Sequence, residues 1–324
     1  MAVLIVGGAG FIGSQTAKEV AAQGLELVVF DNLSTGHRWA LNWGAFEEGD
    51  LNDPAALDRV FEQHQISAVI HFAAKIEVGE SVRDPRKYFR NNVVNTLNLL
   101  DAMVAHQVRH IVFSSTAAVY GSPHTSPITE QHPLDPLSPY GDSKFFDERI
   151  LRWYGDAYGL RSVALRYFNA AGADPDGQLG EAHTPESHLI PLAIAAARGG
   201  TPLKLFGTDY PTPDGTAVRD YIHVADLALA HVLAVRHLEA GRESFVANVG
   251  TGVGHSVRQV IETVARVTGS KVPYAEVERR PGDPPELVAD AHEIEKRLGW
   301  QPRYPELETM VEHAVRWQSS PHAR

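Results

Sequence analysis

The chain opens on an unbroken apolar run, Ala2-Val3-Leu4-Ile5-Val6, the pattern of a parallel strand covered on both faces. A glycine-rich turn, Gly7-Gly8-Ala9-Gly10-Phe11-Ile12-Gly13, leads into a helical stretch from Ser14 to Gln23, with Gly24 as its terminator. A second apolar strand, Leu25 to Phe30, closes in Asp31. The same rhythm continues. Ala45 to Glu48 is a short strand, Pro54 to Gln63 a helix, Ala68 to Phe72 a strand, and Tyr88 to His106 one long helix. His110 to Phe113 is a strand, a helix runs on from Tyr140, and Ser162 to Arg166 is another strand. Strands alternating with helices predict an α/β fold, a doubly wound parallel sheet of Rossmann type with ligands beyond the carboxyl ends of the strands. Asp31, Asp50, Ala73, Ser115 and Asn169 all fall at such ends.

After Gly172 the texture changes. Asp174 to Ser187 is polar and loop-like, and short apolar runs broken by Pro and Gly follow. We therefore divide the chain into residues 1–172, a dinucleotide-binding domain, and 173–324, a smaller substrate-binding α/β region partly interleaved with the first. His223 to Leu238 reads as a helix packing back on the first domain. Ser256 reads as the N-cap of a helix through Val267 that presents Val257, Val260, Ile261, Val264 and Val267 on one face.

The first turn carries specific chemistry. Gly7, Gly10 and Gly13 are spaced G-x-x-G-x-x-G between a strand and a helix. Such glycines permit a tight bend, let backbone N–H groups approach a pyrophosphate, and allow close helix–strand contact. Asp31 ends the second strand, where a carboxylate accepts hydrogen bonds from a ribose diol and repels a 2′-phosphate. NAD(H) is thus favoured over NADP(H).

Composition narrows the field. The chain has 324 residues, 44% of them hydrophobic, with a formal charge of −11 and a pI near 5.8. That balance argues against a nucleic-acid surface. It has no cysteine, hence no disulfide or thiolate chemistry, which suits a reducing compartment. No stretch approaches the ~20 apolar residues of a membrane helix, and the expectation is a soluble, cytoplasmic protein without a membrane partner. Its 16 histidines show no metal-ligand spacing, His106 and His110 being read as solvated, so no metal is expected.

The candidate for proton chemistry is Ser138-Pro139-Tyr140-Gly141-Asp142-Ser143-Lys144. Ser138 is a good N-cap and Pro139 suits the first helical position. Tyr140 and Lys144 then stack on one helix face, about 5–6 Å apart. A phenol ionises near pH 10, so a useful base at neutral pH requires about 3 units of lowering, roughly 4 kcal/mol. A nearby ammonium supplies part of that.

These groups together resemble the extended short-chain dehydrogenase/reductase family, and within it the UDP-glucose 4-epimerase branch, over nearly the whole chain. Besides the glycine turn and the Tyr140–Lys144 helix, the resemblance rests on Asp31 to Gly36, Val78-Gly79-Glu80-Ser81, Asn91-Asn92-Val93 and Ser114-Ser115-Thr116. It rests also on Arg166-Tyr167-Phe168-Asn169, Val218 to His223, and Arg279-Arg280-Pro281-Gly282-Asp283. It implies that Phe11, Ile12, Asp31, Asn32, Leu33, Ser34, Thr35, Gly36, Asp50 and Leu51 hold the adenosine and pyrophosphate of NAD. Phe72, Ala73, Ala74, Lys75, Asn91, Ser114 and Phe168 would line the rest of the cofactor. Lys144 would bond the nicotinamide ribose and lower the pKa of Tyr140, the general base, while Thr116 bonds the sugar 4′-hydroxyl. Asn169, His188, Leu189, Arg219, Arg280 and Asp283 would engage the nucleotide side of a UDP-hexose. The resemblance further implies a homodimer paired through the helix before His106 and the helix after Tyr140.

Oxidation to a 4-ketose followed by reduction from the other face is the activity implied. Ala117 and Ala118 stand where the related dehydratases carry an Asp-Glu pair, which argues against elimination of water. Leu287 aligns with a gate beside the sugar where a tyrosine excludes N-acetyl groups. UDP-GlcNAc/GalNAc therefore joins UDP-xylose/arabinose and UDP-glucuronate as an alternative substrate. A non-catalytic NAD(H)-binding sensor is the alternative of a different class, and retention of Tyr140 and Lys144 weighs against it.

Overall fold

A computed structural model of the chain describes residues 1–280 and 282–323; Pro281, part of the Arg279–Asp283 motif, lies outside the described residues. In chain order the strands are β1 (Ala2–Val6), β2 (Leu27–Asp31), β3 (Ala45–Glu48), β4 (Ile66–His71), β5 (His110–Thr116), β6 (Arg161–Tyr167) and β7 (Asn169–Ala171). They continue as β8 (Leu203–Phe206), β9 (Val218–His223), β10 (Phe245–Val249), β11 (Gly254–Ser256), β12 (Tyr274–Val277) and β13 (Glu286–Leu287). The helices are α1 (Phe11–Ala22), α2 (Pro54–Gln63), α3 (Val78–Arg83), α4 (Pro85–Tyr88), α5 (Asn95–Ala105) and α6 (Pro139–Tyr158). After these come α7 (Leu189–Ala197), α8 (Val224–Glu239), α9 (Val257–Thr268), α10 (His292–Leu298) and α11 (Leu307–Trp317).

Seven parallel strands form the central sheet in the order β10-β6-β5-β4-β1-β2-β3. The strand order reverses between β1 and β4, which opens the crevice where ligands of such sheets bind. Each central strand buries both faces. On one side Ile5, Val29, Ile70 and Val112 pack under α1 and α8; on the other, Leu4, Val28, Val69 and Phe113 pack under α2, α5 and α6. Leu99, Leu100 and Met103 of α5 are fully buried there as packing. Helix α8 and strand β10 bring residues beyond 172 back to this sheet. A smaller sheet, in which β9 pairs β7, β11 and β13, leans on a third core made by α7, α9 and α11.

The helix ends follow from local chemistry. Ser138 Oγ accepts from Gly141 N at 3.2 Å, with Pro139 in the first position. Ser256 and Gln259 form a reciprocal capping box at α9. Tyr88 to His106 is not one α-helix. Phe89–Val94 is a π-helical turn between α4 and α5, the kind of insertion that often marks a functional site. The turn frees Asn92 to look inward, where its side chain holds both backbone groups of Lys75 (2.9 and 3.1 Å) and Ser143 Oγ (2.9 Å).

Candidate active site

The glycine turn is built as a phosphate cradle. Gly7 has φ 81° and passes so near Ala73 that a β-carbon would stand 2.6 Å from its nitrogen. A β-carbon on Gly13 would strike Gly7 O at 2.2 Å, whereas one on Gly10 would meet only Gly7 O at 3.5 Å. The turn is closed below and open above Gly10, over the N-terminus of α1. Asp31 Oδ2 accepts from Ala9 N (2.9 Å) and Oδ1 from Leu33 N (2.8 Å), which fixes the carboxylate beside the turn. Burial pushes its pKa up and the two N–H donors pull it back. Asn32 reaches Asp50 at 2.6 Å, Ser34 N bonds Asn32, and Gly36 sits against Ala9 because a β-carbon would not fit. Thr35, Gly10, Phe11, His37 and His183 line a cleft of about 250 Å³ at this turn. Open turn, helix N-terminus and anchored carboxylate fit a dinucleotide.

Of the remaining cofactor candidates, Phe72 and Ala73 both donate to Val6 O as the chain leaves β4, and the Phe72 ring lies 4.6 Å from that of His231. Leu51 is buried, with its carbonyl accepting from Asn98. Ala74 and Lys75 follow β4 without regular structure, and Asn91 donates to Asn92. Ser114 lies within β5, and buried Phe168 donates to Val249 O on β10.

Tyr140, Lys144 and Thr116 sit where α6 passes the carboxyl end of β5. Thr116 caps a 3-10 turn, its oxygen accepting from Ala118 N at 3.1 Å, which leaves its own O–H free to donate. In the protein alone Lys144 does not bring Tyr140 down, contrary to expectation. Burial pushes the phenol above its ordinary value, and the Thr116 hydroxyl pulls it part-way back. The Lys144 ammonium lies 4.6 Å from the centre of the Phe113 ring. Helix α6 is pinned by Glu148, which takes both arms of Arg166 (2.9 and 2.6 Å) and a hydrogen bond from Ser115 (2.5 Å). Arg166 also donates to Tyr120 Oη, which bonds Asn248. A bidentate pair this deeply buried sets geometry more than net stability.

Asn169, His188 and Leu189 line a cleft of about 460 Å³ together with Glu181, Tyr221 and Trp317. Arg219, two residues before Tyr221 on β9, pairs with Asp283 and donates to Pro284 O at 2.9 Å. Arg280 is set apart, its guanidinium 4.0 Å from the centre of the Phe206 ring. Glu181, His183, Glu186 and His188 gather their ligating atoms within 4.8 Å of one another, a cluster the sequence reading did not single out. Mutual pairing accounts for the cluster. His183 Nδ1 lies 2.9 Å from Glu181, while His188 contacts Glu181 and has Glu186 at 3.4 Å. Burial opposes charge on His188, yet the two carboxylates outweigh it and lift the pKa to about 10. His188 is thus a cation at the rim of an acidic protein's cleft. His106, read as solvated, lies 3.1 Å from Asp58 and stacks on Phe61.

The profile of the NAD dependent epimerase/dehydratase family matches residues 3–250. The chain belongs to this family. Its relatives include the UDP-glucose 4-epimerase of Halalkalibacterium halodurans, 50% identical over 324 residues (99% of this chain and 97% of the relative). Among solved structures of the same kind, UDP-glucose 4-epimerase from Brucella ovis in complex with NAD superposes with a TM-score of 0.95 at 53% identity, covering 97% of each chain. The Bifidobacterium longum UDP-glucose 4-epimerase in complex with NAD+ and UDP gives a TM-score of 0.95 at 41% identity over 100% of both chains. Sequence reasoning named the family's fingerprint in this chain, Asn92 included, but not the role of Asn92, and it missed Glu148 and the Glu181–Glu186 pair. Asn92 holds Lys75, the glutamate pair holds His188, and Glu148 ties Arg166 and Ser115 to α6.

Proposed function

We propose that this chain is an NAD-dependent UDP-glucose 4-epimerase, interconverting UDP-galactose and UDP-glucose through a transient 4-keto sugar. The observation that carries the reading is the meeting of Thr116, Tyr140 and Lys144 at the carboxyl end of the sheet whose first turn is the dinucleotide cradle. Tyr140 accepts the 4′-hydroxyl proton, and the Thr116 O–H, which turns to the phenol in the protein alone, donates to the sugar oxygen. NAD, when bound in that cradle, would supply the hydride chemistry at C4′. Lys144 holds a positive charge beside the phenol and favours its anion. Cationic His188, with Asn169, Leu189 and the Arg219–Asp283 pair, anchors the nucleotide diphosphate while the sugar turns over. Alanines at 117 and 118 offer no acid or base for eliminating water.

The C4′ centre is inverted only if the keto sugar rotates, which calls for firm contacts at the nucleotide and loose ones at the sugar. Leu287 supports a second substrate. It is half-buried against the cluster that contains Ala117, Tyr120 and Phe168, and a leucine there is smaller than a tyrosine. Incubation with UDP-galactose and UDP-GalNAc without added NAD, followed by chromatography, tests both. No conversion of UDP-galactose overturns the main reading; no conversion of UDP-GalNAc overturns the second.

The assembly is a homodimer in this reading, through α5 and α6. Trp153, Tyr158, Phe146 and Val94 are 58%, 55%, 42% and 46% exposed, more apolar surface than a lone helix pair leaves to water. Sedimentation of Trp153→Glu should show monomers; an unchanged profile removes this face from the interface. Among the described residues no helix is long and apolar enough to cross a membrane, and the absence of cysteine supports a place in the cytoplasm.

A further inference from the structure

Helix α6 carries a third ionisable group that the chemistry above leaves unused. Asp147 follows Lys144 by three residues, so the two side chains lie on one face of the helix. Its side chain is 0% exposed, and neither carboxylate oxygen has a hydrogen-bond partner. Native interiors rarely tolerate such an orphan without a reason. The groups packed around it supply one.

Lys144 is 2% exposed and, among the described residues, has no close ion pair. On its own helix Tyr140 stands one turn before it, and Asp147 and Glu148 act on its charge; from β4 His71 feels that charge, and from β5 the Phe113 ring lies beneath it. Glu148 is already committed to Arg166 and Ser115. His71 is neutral. Its Nε2 lies 3.0 Å from Thr96 Oγ1, whose hydrogen goes to Asn92 O, so Nε2 carries the proton and Nδ1 is left bare. Burial, with the Lys144 charge added, holds the His71 pKa at about 3. Asp147 is therefore the acidic group in this shell that nothing else claims. Burial drives the Lys144 ammonium down to about 8, with Asp147 and then Glu148 opposing the fall, and burial drives Asp147 upward.

We propose that Asp147 is a positioning residue of the Tyr140–Lys144 pair, the buried counter-charge that keeps the Lys144 ammonium protonated and held beside the phenol. The inference rests on the reading of Tyr140 and Lys144 given above. With the carboxylate present, burial of the ammonium is partly offset. Without it, burial alone governs and the amine loses its proton at lower pH.

The test is the pH dependence of kcat for UDP-galactose in wild type, Asp147→Asn and Asp147→Leu. The leucine variant removes the orphan altogether and guards against misfolding of the amide. In both, the alkaline limb should move down by roughly one pH unit, lowering kcat about tenfold above the limb, with KM and the low-pH rate little changed. A merely structural role would scale the rate without moving the limb. The Lys144 ammonium, followed by heteronuclear NMR of labelled lysine side chains and assigned with Lys144→Met, should lose its proton about one pH unit lower in both variants. A limb and an ammonium titration that coincide with wild type in both variants overturn the proposal. A wild type that turns over no nucleotide sugar sinks the reading of the site instead. The ammonium titration, which needs no turnover, then decides the role of Asp147 alone.

Discussion

Gly141 lies against Ala118 so closely that a β-carbon on it would stand 2.8 Å from the Ala118 carbonyl oxygen and 3.1 Å from Pro136 Cβ. This contact brings the first turn of α6 onto the segment just after Thr116, and so sets the separation of Tyr140 from Thr116. Gly141→Ala must push the two apart. Overpacking of this kind costs about 1–3 kcal/mol, and a shift of the reacting groups by a fraction of an ångström costs roughly tenfold or more in kcat. Gly79→Ala is the control, because the closest atom a β-carbon would meet there is Arg83 Nη1 at 4.0 Å. Steady-state kinetics and thermal melts of the two variants check the prediction. Equal kcat in Gly141→Ala and wild type would show that the contact does not position Tyr140.

Tyr140→Phe removes the phenol oxygen while leaving the ring that fills its place on α6. Turnover should fall by about two to four orders of magnitude, the usual worth of a positioned general base. The glycine cradle and Asp31 are untouched, so absorbance of co-purified cofactor should remain. Near-normal turnover takes Tyr140 out of the reaction. Loss of both turnover and cofactor would mean that the ring, rather than the hydroxyl, holds the site together.

The charge on His188 depends on Glu181 and Glu186, and its folded-state pKa is raised to about 10. A raised value keeps the imidazolium through neutral pH and loses it only as pH climbs toward 10. In Glu181→Gln the closest carboxylate is gone, burial gains the upper hand, and the charge disappears at lower pH. KM for the UDP-sugar should stay flat between pH 7 and 9 in wild type and rise several-fold over that range in the variant. A flat KM in both would mean that His188 does not meet the diphosphate as a cation.

What could be read from the sequence was local. Strand β1, the glycine turn, α1 and Asp31 follow one another within a few residues, each one's chemistry visible beside the next. The caps Ser138 and Ser256 also act within a single turn of their helices. The hidden parts depend on distance along the chain. Strand β10 joins the main sheet beside β6, a pairing of Phe245 with Val163 that no spacing announces. Asn92 reaches Lys75 and Ser143 because a π-turn re-aims it, and nothing in Phe89–Val94 distinguishes that turn from an ordinary helix. Asp147 stands beside Glu148 and Arg149 in what reads as a solvated stretch, yet it is wholly enclosed. The cationic state of His188 needs a loop without periodicity to fold two carboxylates back upon it. At Asn92 and Asp147 burial reverses the meaning that the residue type carries in sequence.

Three buried histidines predict how the fold answers acid. His71, His223 and His231 are each 0 or 1% exposed. Burial first, helped by Lys144 at His71 and His313 at His223, holds the pKa of both at about 3. Burial likewise lowers His231 to about 4 against the pull of the Leu227 carbonyl. All three sit below the ordinary value near 6.5, so the unfolded chain binds protons that the folded chain refuses. Their contribution is level above about pH 7 and is lost as pH falls from 6.5 toward 4, at roughly 1 kcal/mol per pH unit for each group. Asp31, Asp220 and Asp226 work the other way, since burial raises their pKa and acid favours their folded form. Comparing wild type with His231→Gln isolates one histidine from that background. The variant loses the ring's contact with Tyr167 and is less stable at every pH, but the slope of its stability between pH 6.5 and 4, from urea midpoints, should be shallower by one proton's worth. Parallel slopes would mean that His231 is charged in the folded protein, and the buried-neutral account of this core would have to be given up.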